Sequence, residues 1–174
     1  VVKKGLRLTP SHTGGGQEDA LRSGTENTPG IAGLSEAITE MLALPGRRDQ
    51  LMALKLRLIN GIRENIPEAV VNGPAPEEGA CHILSVSFPP VRGETMLHAL
   101  EEKGVYVSTG SACSAKKKNA SRVLTNMHIP AALTESVVRM SLCPYTTEEE
   151  IDRVLEILPG IVQSLRDLTV RHVY

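Results

Sequence analysis

The sequence predicts an α/β fold, a small sheet of three or four strands packed with helices, on two observations. From residue 80 onward, stretches with a two-residue hydrophobic period alternate with helical stripes, in the order strand, helix, strand, helix, strand, helix. The composition, 41% hydrophobic and 22% charged, is that of a chain able to bury a core, yet it holds no Trp, one Phe and three Tyr. That core must therefore be made of Leu, Val, Ile, Ala and Met.

Taken in order, residues 5–29 are rich in Gly, Ser, Thr and charge, with Gly14-Gly15-Gly16 followed by Arg22-Ser23-Gly24-Thr25-Glu26-Asn27, and read as a long functional loop. From Gly30, the apolar residues Ile31, Leu34, Ile38 and Met41/Leu42 fall at helical spacing until Pro45-Gly46 stops them. A second helix from about Arg47 carries the stripe Leu51, Leu54, Leu58, Ile59 and Ile62 and ends at Pro67. Beyond Asn72-Gly73-Pro74, residues Cys81 to Phe88 alternate, with His82, Leu84, Val86 and Phe88 on one face and Ile83, Ser85 and Ser87 on the other. A helix over about 94–103 buries Met96, Leu97 and Leu100, with Gly104 as the left-handed residue past its end. Val105-Tyr106-Val107 reads as a short strand leading into a Ser/Thr/Gly loop and the lysine-rich turn Lys116-Lys117-Lys118. A helix over about 120–127 follows, and another after Pro130.

The third strand spans Val137 to Leu142, with Val138, Met140 and Leu142 inward. In the last helix, Thr147 and Glu150 form a capping box, and Ile151, Val154, Leu155, Leu158, Ile161, Val162 and Leu165 share one face; Pro159 predicts a kink.

Charge and cysteine content narrow the function classes. Lys plus Arg number 19 and Asp plus Glu 20, a net charge of −1, so no basic footprint for nucleic acid exists, and scarce aromatics argue against base stacking. No apolar run approaches the roughly 18 to 20 residues that cross a bilayer. Cys81, Cys113 and Cys143 make neither a disulfide framework nor a Cys-x-x-Cys pair, which points to a reducing, cytoplasmic setting. His12, His82, His98, His128 and His172 show no ligand spacing, so no metal site is expected. The start at Val1, without Met or signal pattern, reads as a cut edge.

Three places carry chemistry. Cys113, in Gly110-Ser111-Ala112-Cys113-Ser114, has only small neighbours, with lysines and a helix start just beyond that would lower a thiol's pKa; the plain alternative is a small buried hydrophobe. Cys81 and Cys143 sit in or at the end of strands and read as packing residues. Arg139 is the lone charge of its strand: either an edge-strand gatekeeper facing water or a planar fork for a carboxylate. The loop over 14–27 could cradle an anion through glycine N–H groups and the Ser23 and Thr25 hydroxyls near the following helix. It matches neither the phosphate-loop nor the dinucleotide fingerprint.

Together, Gly14-Gly15-Gly16-Gln17-Glu18 with Arg22 to Gly30, Gly110-Ser111-Ala112-Cys113-Ser114, and Val138-Arg139-Met140-Ser141-Leu142 before Thr146 to Asp152 resemble the C-terminal part of a cysteine desulfurase of the NifS/IscS type. That group lies among the class V aminotransferases, fold-type I enzymes using pyridoxal 5'-phosphate (PLP). The resemblance implies the small C-terminal domain of that fold over residues 67–174, connecting helices over 31–66, and a remnant of the large cofactor-binding domain over 1–30. It also implies roles. Cys113 would take sulfur from L-cysteine, leaving alanine and a Cys113 persulfide that feeds an iron-sulfur scaffold or another acceptor protein, for iron-sulfur clusters or thio-nucleosides. Arg139 would hold the substrate carboxylate, and Thr25 the PLP phosphate of the other subunit of a homodimer. The family's Schiff-base lysine, pyridine aspartate and stacking histidine have no counterparts here, so the chain alone is expected to be inactive. Cys143 stands where the family usually has Gly. A selenocysteine lyase or another class V lyase, and a non-catalytic partner-binding or sulfur-relay module, are the competing readings.

Overall fold

The computed structural model describes residues 3–109 and 121–171. The chain divides into two compact units, Val1–Pro45 and Gly46–Tyr174. In the first, a loop containing one 3-10 turn, Gln17–Ala20, leads to helix α1, Thr28–Leu42. Asn27 starts that helix two residues before the expected Gly30, because its side-chain oxygen accepts the Gly30 N–H at 3.2 Å and Pro29 suits the first turn. No residue of α1 is buried. Its stripe of Ile31, Leu34, Ile38 and Met41 stays between 47% and 62% exposed.

The second unit is built on a four-stranded, wholly antiparallel sheet in the order β1-β2-β4-β3. Its strands are β1 (Val70–Asn72), β2 (Ile83–Ser87), β3 (Ser108–Thr109) and β4 (Val137–Ser141). Four strands and their helices agree with the α/β expectation, with two differences in detail. Strand β1 has no counterpart in the sequence reading, since three residues are too few to show a period. The strand expected at Val105-Tyr106-Val107 lies instead at Ser108–Thr109, the residues that pair with Val138 and Arg139.

One face of the sheet makes the core. Leu84 and Val86 of β2 stand opposite Met140 and Val138 of β4, all at most 5% exposed. Against them pack α2 (Arg47–Asn65) through Leu58, Ile59 and Ile62, α3 (Gly93–Glu101) through Met96 and Leu100, and α6 (Glu148–Arg171) through Ile151, Leu158 and Val162. Each such fully buried aliphatic side chain contributes about 1.5–3 kcal/mol relative to exposure, which makes this face the dominant stabilising element. Phe88, the one phenylalanine, is buried there too. The buried stripe of α2 belongs to this core.

Local chemistry fixes the helix ends. The Glu150 N–H donates to Thr147 Oγ1 at 3.3 Å while the Thr147 N–H donates to Glu150 Oε2 at 3.0 Å, which is the expected capping box of α6. Gly104 follows α3 at φ 76°, the left-handed conformation expected of it. Two short helices, α4 (Arg122–Asn126) and α5 (Ala131–Thr134), precede β4. Gly93 opens α3 against β4, where an added Cβ would sit 2.5 Å from the Val137 carbonyl oxygen.

Two ion pairs join distant parts of this unit. Arg57 of α2 donates to both carboxylate oxygens of Asp152 in α6, at 2.7 and 2.9 Å. Arg166 donates to Glu68 Oε2 at 2.7 Å and to the Pro89 carbonyl at 3.1 Å. Donation from Arg57 holds the Asp152 carboxyl below its ordinary pKa, and donation from Arg166, then from the backbone, does so for Glu68.

Gly93→Ala should destabilise the second unit by about 1–3 kcal/mol, since the obstacle is a backbone oxygen that cannot rotate away; the urea unfolding midpoint measures it. A carboxyl whose pKa is lowered on folding stabilises the fold above its unfolded pKa, and that stabilisation is lost as pH falls through the folded value. Stability should accordingly decline between roughly pH 5 and pH 2, and an Asp152→Asn, Glu68→Gln double variant should lose less over that range, as followed by denaturant melts.

Candidate functional site

The glycine-rich loop of the first unit is organised mainly by its own groups. Ser23 Oγ donates to the Gly15 carbonyl at 2.7 Å, and the Gly24 N–H donates to Gln17 Oε1 at 3.2 Å. Arg22 reaches the Gly24 and Thr25 carbonyls at 3.2 and 3.0 Å. The expected anion donor Ser23 is therefore engaged within the loop. Thr25 is exposed, and its hydroxyl has no hydrogen-bond partner among the described residues. Three non-glycine residues in succession, Glu18, Asp19 and Ala20, have φ of 51°, 54° and 60°. Such a run is uncommon for L residues, and Gln17 clamped to Gly24 sits at its start.

In the second unit, the sheet face opposite the core carries a polar row. The register aligns Asn72 with Ser85, Ser85 with Arg139, and Arg139 with Ser108, one residue from each of the four strands. Asn72 Nδ2 donates to Ser87 Oγ at 3.0 Å, and Ser87 Oγ donates to the Leu133 carbonyl at 3.2 Å, which ties the sheet to α5. Both residues are buried, at 9% and 0% exposure. A cavity of about 590 Å³ is lined by all four residues of the row together with Lys55 of α2 and Leu124 of α4.

Arg139 stands on β4, which lies between β2 and β3, so it is not on an edge strand as the gatekeeper reading required. Its guanidinium is exposed and forms no ion pair or hydrogen bond among the described residues, which leaves a donor fork free in the cavity. Thr25 belongs to the first unit and Arg139 to the second. Cys113 and Lys116 to Lys118 lie outside the described residues. Cys81 is half-buried against the core. Cys143, expected to pack quietly, is instead exposed in the turn between β4 and α6, where Thr146 Oγ1 lies 3.6 Å from its sulfur and accepts its N–H at 2.9 Å. No group of three or more His, Cys, Asp or Glu among the described residues could hold a metal ion, and no helix among them is long and apolar enough to cross a membrane.

Two cavity residues escaped the sequence reading. Asn72 enters the sequence reading only with Gly73 and Pro74 as a change of pattern, although it ends β1. Lys55 gave a legible signal: it falls on the apolar stripe of α2, four residues after Leu51 and four before Ile59, and a lysine there must find polar partners inside.

Comparison with known proteins bears on this site. The family described as Aminotransferase class-V matches residues 8–154. Cysteine desulfurase IscS of Methanosarcina thermophila is 40% identical over 170 residues, 97% of this chain and 41% of that protein. A cysteine desulfurase of Trichormus azollae is 37% identical over 169 residues, 97% of this chain and 42% of the relative. Among solved structures, a NifS-like protein superposes with a TM-score of 0.81 at 34% identity, over 94% of this chain and 41% of its own. A NifS-like protein from Rickettsia africae does so with a TM-score of 0.76 at 25% identity, over 91% and 41%. The chain thus spans about two fifths of the length of these relatives.

Ser87→Ala should cost about 1–3 kcal/mol in denaturant melts, because it takes from the buried Asn72 amide its 3.0 Å acceptor, whereas the Leu133 carbonyl keeps the Ser136 donors.

Proposed function

Because the chain belongs to the class V aminotransferase family, we propose that it is the part of a PLP-dependent cysteine desulfurase that carries the sulfur-accepting thiol and the substrate-carboxylate arginine. The observation that carries this reading is Arg139, a guanidinium without a partner among the described residues, on an inner strand at a cavity, in a chain 40% identical over 170 residues to a protein named as a cysteine desulfurase. The chemistry of the donors also suits the cofactor. Thr25 offers a hydroxyl unengaged among the described residues, on a loop just before a capped helix start, a setting that fits a phosphate. PLP, when bound, supplies the electron sink for the substrate.

The residues of this chain then divide the work. Arg139 holds the L-cysteine carboxylate through a bidentate pair of charge-assisted hydrogen bonds, which fixes the direction of the side-chain sulfur. Cys113 acts as the thiolate: a new S–S bond forms to the substrate sulfur as the substrate's Cβ–S bond breaks. The pair from that bond stays on carbon and takes a proton, giving L-alanine, and the sulfur remains on Cys113 as a persulfide for an acceptor protein. Thr25 donates to the cofactor phosphate, from the other subunit of a homodimer. Turnover needs the remaining parts of the fold that the longer relatives have. The destination of the sulfur, an iron-sulfur scaffold or a thio-nucleoside pathway, belongs to the same proposal.

In the enzyme that contains this chain with those remaining parts, Cys113→Ala should lower alanine and sulfide formation by roughly 10²-fold or more. Arg139→Lys should raise KM for L-cysteine by about tenfold, since a point charge replaces a bidentate fork. Full turnover by Cys113→Ala would overturn the reading.

A further inference from the structure

The charge balance of the cavity beside Arg139 points to a ligand that the desulfurase reading does not name. Lys55 is 5% exposed, and its ammonium donates to the carbonyl oxygens of Pro76 and Ala80, both at 3.0 Å. Those two bonds engage two of its three N–H donors, and both acceptors are neutral. No carboxylate pairs with Lys55 or Arg139 among the described residues. Both residues line the same cavity, and no aspartate or glutamate is among its described lining residues. A buried cation without a counter-charge is costly, and a concavity lined by one sign of charge between apolar walls concentrates the opposite sign.

We propose that this cavity binds a small organic dicarboxylate, one carboxylate on the Arg139 fork and the other on the free donor of Lys55. Its size, about 590 Å³, is that of a small-molecule site. The apolar residues beside the cations, Ile83, Leu124 and Met127 among them, suit a hydrocarbon spacer better than a compact inorganic anion. Hydroxyls of Ser85 and Ser108, on either side of Arg139 in the polar row, can donate to the same carboxylate. The proposal shares Arg139 with the desulfurase reading and makes such a ligand a competitor of any substrate carboxylate there. It stands on the geometry of the second unit and needs no turnover.

The test is titration calorimetry on the 174-residue chain at low salt, with the series malonate to adipate, each set against the monocarboxylate of equal carbon number. One dicarboxylate should bind on the order of tenfold more tightly than its monocarboxylate counterpart. Lys55→Arg should keep that preference. Lys55→Met should remove it and leave monocarboxylate binding as it was, and Arg139→Met should weaken both. Equal affinities for both members of every pair would overturn the proposal on the parent chain alone, even if Lys55→Met does not fold; so would an undiminished preference in folded Lys55→Met. Because these are binding measurements, they succeed or fail independently of the Cys113→Ala turnover test.

Discussion

The second unit depends on the register between β2 and β4. With Leu84 opposite Met140 and Val86 opposite Val138, every large apolar side chain of that pair except Ile83 and Val137 turns toward α2, α3 and α6. A slip of one residue would carry Arg139 into the core and Val138 out of it. The same alternation that makes the core therefore makes the polar row: Ser85 and Arg139 are adjacent because their neighbours along each strand are buried. Site and stability are two faces of one pairing. The ion pairs on the outside, Arg57 with Asp152 and Arg166 with Glu68, fasten helices already placed by burial; being largely exposed, the first of them is secondary to the aliphatic contacts beneath it.

Much of this was legible in the residues, for identifiable reasons. The alternation of β2 and β4, the capping box of α6 and Gly104 after α3 are local signals, and the structure bears them out. Strand β1 and the true position of β3 were not legible, because two- and three-residue strands are defined by their partners and not by their own pattern. The spacing of Ile31, Leu34, Ile38 and Met41 identified α1 as a helix but not how much of that stripe is buried; among the described residues it is open to water.

The candidate site divides in the same way. Arg139 stood out as a lone charge in an apolar strand, and only the strand order decided between an edge and an inner position. Thr25 and Ser23 looked equivalent in the glycine-rich loop; hydrogen bonding separates them, with the Ser23 hydroxyl held by Gly15 and the Thr25 hydroxyl without a partner among the described residues. Lys55 went unread because a stripe is scored by its apolar members, and the exception carried the information.

Gly61 gives the packing a history as well as a shape. It lies where α2 meets α6, and a Cβ there would come within 2.6 Å of both Leu155 methyl groups. The two positions therefore share one volume, so a larger residue at 61 requires the Leu155 side chain to move or to become smaller. The effects of substitutions at 61 and 155 are therefore coupled: the cost of a change at one depends on the residue at the other.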